Sequence, residues 1–299
     1  MQALWMLAAA LLFAAMAVCV KIASAWFNSA ELVCYRGLLG LLLVWLMARS
    51  RGVPLTTPYP AMHAWRSLVG VLSLGAWFYC LAELPLATAM TLNYMSSVWL
   101  AAFLVGASLL RRNADRQETR WLRQGPLVAT VIAGFVGVVL MLRPTLEQDQ
   151  VFAGVVGLLS GLTAAFAYLQ VTALSRLGEP ALRTVFYFAV GSALAGGAGM
   201  AFTGLSPWDW RHALWLLPMA ALASFGQLCM TRAYSQGATL VVANLQYSGI
   251  VFGALFGMLL FGDRIPLIGW VGMALIVASG IGATVLRERA NPQSTAKEQ

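Results

Sequence analysis

Asn93, Tyr94, Ser96 and Ser97 stand within five positions of an otherwise apolar, uncharged run from Thr88 to Leu110, and Asn244, Gln246, Tyr247 and Ser248 repeat the theme in a second apolar run. Amides and hydroxyls give and take hydrogen bonds without ionising, so this is chemistry for holding a polar group, not for abstracting a proton. Asn93, Ser96 and Ser97 fall at i, i+3 and i+4 and share one helical face; so do Asn244, Tyr247 and Ser248, with Gln246 on a neighbouring flank. Exposing such groups to lipid is costly, so they must face protein or a water-filled cavity. Two readings stay open: hydrogen bonds between packed helices, about 0.6 kcal/mol each, or the lining of a solute cavity.

The aromatic residues divide in two. Most tryptophans sit near the ends of apolar runs, as headgroup-level anchors do. Trp77 and Trp99 lie deeper, and with Phe78, Tyr79, Tyr94, Phe166, Tyr168 and Tyr247 they form either an aromatic cavity wall or ordinary core. The candidate binding residues are therefore Tyr79, Asn93, Tyr94, Ser97, Trp99, Tyr168, Asn244, Gln246, Tyr247 and Ser248. Arg36 is the one deep charge, suited to a carboxylate or to helix-end carbonyls. Lys21 and Glu31 flank the first hairpin and are expected to pair.

Several chemistries are excluded. There is no G-x-x-x-x-G-K-[ST] phosphate loop. Gly106-Ala107-Ser108 has no deep histidine to serve as its base, because His63 and His212 lie near loops. Cys19, Cys34, Cys80 and Cys229 are scattered without ligand spacing, and neither a metal nor a cofactor is expected. No carboxylate lies at mid-membrane, which argues against a proton relay and for facilitated movement.

The elements that position these residues are membrane spans. The chain is 60% hydrophobic and 10% charged, against roughly 25% charged in a soluble domain. Runs long enough to cross a bilayer cover 3–23, 29–48, 66–84, 88–110, 125–142, 151–174, 181–202, 212–234, 238–261 and 266–286. The predicted fold is all-α and polytopic, with ten transmembrane helices and a disordered cytoplasmic tail at 287–299. Ala23-Ser24-Ala25 mimics a signal-peptide cleavage site, but no basic stretch precedes the first run, so that run is read as a span. Arg49, Arg51, Arg66, the arginines of 111–123, Arg176, Arg183, Arg232, Arg287 and Arg289 gather on one side, whereas Lys21, Arg143, Arg211 and Arg264 fall on the other. The positive-inside rule then places both termini in the cytoplasm. The net charge of +8 serves anionic headgroups, not nucleic acid.

An internal repeat sets the architecture. At an offset of 151, Ala87, Thr88, Asn93, Ser97, Leu104 and Gly106 meet Ala238, Thr239, Asn244, Ser248, Leu255 and Gly257; at 150, Leu12, Ala14, Ala15 and Ala17 meet Leu162, Ala164, Ala165 and Ala167. The chain reads as a duplicated five-helix unit, 1–143 and 151–286. Five is odd, so the second copy is inverted, the arrangement that permits alternating access. Gly249, Gly253 and Gly257 form a small-residue packing ridge about 100° from the polar face.

Residues 233–282, with Leu259-Leu260-Phe261-Gly262-Asp263 and the small-residue helix around Gly280, resemble the second repeat of the drug/metabolite transporter superfamily, EamA type; Leu12 to Gly137 is similar but weaker. The resemblance is greatest to the bacterial exporters of aromatic and other hydrophobic amino acids. It implies a monomeric inner-membrane exporter of small metabolites, with hydrophobic or aromatic amino acids the expected solutes. Import of nucleotide-like or methylated metabolites such as S-adenosylmethionine is the alternative on the same fold, and a membrane-embedded enzyme the alternative of another class. The family's proline midway along the fourth and ninth spans is absent, with Ser97–Trp99 and Ser248–Ile250 in that neighbourhood, so straighter helices are expected there.

Overall fold

Along α2 (Ser29–Ser50) bulky apolar side chains point outward, and small or polar ones point inward. The outer face carries Leu38, Leu42, Trp45 and Leu46, while Gly37, Gly40 and Arg36 are turned in. Lipid-facing helices need this inversion, because their outside is solvated by hydrocarbon and their inside by each other. The computed structural model describes residues 2–100, 102–103, 129–130, 132–134, 136–137, 140, 150–236, 242 and 245–290. Asn244, the loop 111–124, most of the fifth predicted span and the tail from 291 lie outside the described residues.

The helices are α1 (Gln2–Ala23), α2, α3 (Pro60–Glu83), α4 (Leu86–Tyr94), α5 (Val151–Arg176), α6 (Ala181–Thr203), the short α7 (Trp210–Ala213), α8 (Leu216–Gln236), α9 (Ser248–Phe256), which runs into a π-turn over Gly257–Phe261, and α10 (Leu267–Ala290). Among the described residues, six helical stretches are long and apolar enough to cross a membrane: Leu4–Ala23, Ser29–Ser50, Pro60–Glu83, Val151–Arg176, Ala181–Thr203 and Trp210–Ser235. The chain is a polytopic, all-helical membrane protein.

Packing follows the glycines. A Cβ on Gly37 would strike the backbone of Ala193, and one on Gly196 the backbone of Cys34, so α2 and α6 lie almost backbone to backbone. The other intimate pairs are α1 with α8 and α3 with α5; lesser contacts join α1 to α9, α2 to α8, α3 to α6, α4 to α5 and α4 to α9. The expected ridge on α9 is used as a packing surface: Gly249 meets the ring of Tyr94 and Gly253 meets Met90, both on α4.

Three local expectations are corrected. Lys21 and Glu31 do not pair: Lys21 Nζ donates to the carbonyls of Leu84 at 2.7 Å and Leu81 at 3.3 Å, capping α3, whereas Glu31 closes a capping box with Asn28 and accepts from Ser206. α3 begins at Pro60, not at 66, because a proline is favoured in the first turn of a helix. The fourth and ninth spans are not straight. Met95 (ψ −14°) and Tyr247 (ψ −19°) each interrupt their helix, and i→i−3 bonds from Met95 to Leu92 and from Ile250 to Tyr247 tighten the turn there. The carbonyl of Leu92 faces α5 at Gly161, where an added Cβ would stand 2.6 Å from it.

Candidate functional site

The break in α4 falls inside the first polar cluster, and it turns that cluster toward α3 and α5. Asn93 Nδ2 donates to Ser160 Oγ at 3.1 Å, Ser160 Oγ donates to the Gly157 carbonyl, and Ser73 Oγ donates to the Ser160 carbonyl at 2.8 Å. This chain of bonds ties three helices together beside a cavity of about 60 Å³. The volume holds about two waters and is well below the roughly 300–1,000 Å³ of small-molecule sites. A metabolite therefore enters only if the walls part.

The walls come from both halves of the chain: Ser73 and Trp77 on α3, Asn93 and Tyr94 on α4, Tyr168 on α5 and Gln227 on α8. Tyr168 is set by a second layer. Gln246 Nε2 donates to its phenol oxygen at 3.2 Å, Tyr234 donates to Gln246 Oε1 at 3.2 Å, and the rings of Tyr168 and Tyr234 stack with centroids 5.6 Å apart. Tyr168 accepts in this network and keeps its own proton to donate.

Two arginines complete the cavity. Arg36 and Arg66 are 6% and 2% exposed, and both guanidiniums lie over the ring of Phe188 on α6, 5.3 Å and 4.1 Å from its centroid. Gly70, one turn beyond Arg66, leaves the necessary room: a Cβ there would sit 2.9 Å from Phe188 Cε2 and 3.1 Å from Arg66 Nη1. A cation at membrane depth costs roughly 2.5–3.5 kcal/mol even on the mildest scale, and a desolvated cation–π contact returns about 2. One ring shared by two arginines does not offset that cost.

The sequence-selected residues separate on this geometry. Asn93, Tyr94 and Tyr168 line the cavity, and Gln246 stands behind it. The Tyr247 phenol is beside the Ser97 hydroxyl, so the two clusters touch across the α4–α9 contact; Ser248 bonds back to the Leu245 carbonyl. Tyr79 meets Phe152 edge-on, and Trp99 stacks near Phe103, both away from the cavity lining. Arg66, Phe188 and Gln227 escaped selection. Sequence reading counts Arg66 among the charges of the cytoplasmic side, at the start of the third span, although it lies about 9 Å inside α3.

The apolar helices enclose a small cavity with a few polar groups, and the comparisons with known proteins point to a membrane transporter. No family model matches the chain. It is 31% identical to the pseudopaline exporter CntI of Pseudomonas aeruginosa strain UCBPP-PA14 over 269 residues, 90% of each chain. It is 29% identical to an uncharacterized transporter of Helicobacter pylori strain J99, covering 92% of this chain and 91% of that one. A riboflavin transporter of Rhizobium johnstonii is 26% identical over 75% of this chain and 70% of its own. A protein crystal structure shares the fold with a TM-score of 0.67 across 97% of this chain and 98% of that one, at 18% identity. The chain belongs to the membrane-transporter family that contains the pseudopaline exporter.

Proposed function

We infer that this protein is a ten-span inner-membrane carrier of the drug/metabolite transporter type that exports small amino-acid-like metabolites by alternating access between two inverted halves, 1–143 and 151–286. The observation that carries the reading is the central cavity, where hydrogen-bonding groups from both halves converge between apolar helices. The pattern of helix contacts supports the inversion. Exchanging α1, α2, α3 and α4 with α5, α6, α8 and α9 turns the α1–α8 contact into α5–α3, α1–α9 into α5–α4 and α2–α8 into α6–α3, and returns α2–α6 and α4–α9 to themselves.

The direction of transport is taken from the pseudopaline exporter. No enzymatic step is part of the reading. Labelled phenylalanine, methionine, threonine and glutamate, loaded into proteoliposomes holding the purified chain, are expected to leave faster than from empty vesicles. Equal rates for all four would refute export of amino-acid-like solutes. The riboflavin transporter supplies a second reading, carriage of nucleotide-like compounds; counterflow with riboflavin but with no amino acid would select it.

A further inference from the structure

The cavity is lined by hydrogen-bond donors that have no partner among the described residues. Arg36 Nε, Arg66 Nε and Nη1, Trp77 Nε1 and Tyr94 Oη are buried without a hydrogen-bond partner among the described residues, and all four side chains line the same space. A guanidinium and an indole N–H are donors only, and the Tyr94 phenol has a proton to give.

Among the described residues no carboxylate lines the cavity. The carboxylates whose side chains are described are engaged elsewhere: Glu31 with Asn28 and Ser206, Glu179 with Thr57, His63 and Arg183, Asp263 with the Leu86 amide, and Asp209 with Arg211. Glu83 closes the opposite end of α3 from Arg66. Buried membrane arginines ordinarily pair with carboxylates or carbonyls; here two of them share a ring and leave N–H edges free toward the cavity.

We propose that Arg36 and Arg66 are the receptor of the transport site for a solute bearing two carboxylates, so that the carrier moves organic anions in preference to neutral zwitterions. Arg36 comes from α2 and Arg66 from α3, so the two guanidiniums are separate forks, each shaped for a carboxylate. Trp77 supplies a further donor, while the amides of Asn93 and Gln227 offer acceptors to an ammonium if the solute carries one. The assignment rests on the carrier reading above and narrows its substrate.

The test uses the full-length chain in proteoliposomes under an imposed potassium-diffusion potential, with labelled succinate, glutamate, phosphoserine and phenylalanine. In net flux, succinate or glutamate should cross at least tenfold faster than phenylalanine, at a rate that responds to the potential. Arg36→Gln and Arg66→Gln should each weaken dicarboxylate binding by roughly tenfold or more. Each should also hold or raise the melting midpoint of the unliganded protein, because an uncompensated buried charge is removed. Phenylalanine moving without either dicarboxylate overturns the proposal and leaves the carrier reading intact; phosphoserine moving alone overturns the carboxylate assignment; no movement of any solute overturns both. An arginine variant that fails to fold or melts lower assigns that residue to structure, and overturns its role as receptor.

Discussion

Gly70 shows how one absent side chain decides the site. It faces the Phe188 ring and the Arg66 guanidinium at a spacing that no Cβ fits without displacing one of them. Overpacking of this kind costs typically 1–3 kcal/mol, so Gly70→Ala should lower the melting midpoint and cut transport more than folded yield, because the displaced groups are those of the cavity. Normal transport by well-folded Gly70→Ala would remove Phe188 and Arg66 from the site. Asn93, Tyr94 and Tyr168 were legible in the sequence, because polar residues within apolar spans stand out. Arg66 was not. An arginine depresses the hydropathy of its own window, and Pro54, Pro58 and Pro60 before it imitate a loop. The helix nevertheless starts at Pro60 and carries the charge inward.

At the scale of elements, the paired helices α2 and α6 are latched at both ends by carboxylates. Glu31, in the first turn of α2, accepts from the amide and hydroxyl of Ser206 in the loop after α6, at 2.8 Å and 2.6 Å. Glu179, just before α6, accepts from Thr57 in the loop after α2 at 2.9 Å, hydrogen-bonds His63 at 3.1 Å and pairs with Arg183 at 3.0 Å. Arg183 also donates to the Pro54 carbonyl, and Tyr187 to that of Leu55. Burial alone would raise the Glu179 carboxyl, but the bonds from Thr57, His63 and Arg183, with the Arg183 charge, outweigh it and hold the group below its ordinary value. A carboxyl whose folded value is lowered stabilises at pH above its unfolded value and loses that contribution as pH falls through the folded one. The Glu179 latch should therefore be intact at neutral pH and release only in acid below the ordinary carboxylate range. Glu179→Gln should cost roughly 1–3 kcal/mol at pH 7 and flatten the acid limb of a thermal-melt pH profile. An unchanged acid limb would show that Glu179 does not fasten the loop. Sequence reading missed the latches because the partners are 116 to 175 residues apart; nor did it foresee the turns at Met95 and Tyr247, which have no proline to announce them.

The whole molecule joins these parts into a membrane transporter. Apolar length made the polytopic helical fold legible, and the offset near 151 is the ground for proposing two halves. What the sequence could not convey was which polar residues meet, since that depends on helix rotation and on glycine contacts between distant segments. Cysteine accessibility tests the central claim, that a solute crosses through the cavity between the halves. Ser73 lines the cavity; Ser73→Cys, in a chain whose Cys19, Cys34, Cys80 and Cys229 are replaced by serine, can be challenged with a membrane-impermeant thiol reagent applied to either face. The account predicts labelling from both faces, slowed severalfold by a transported solute. Labelling from one face only, or labelling that no transported solute affects, would contradict it.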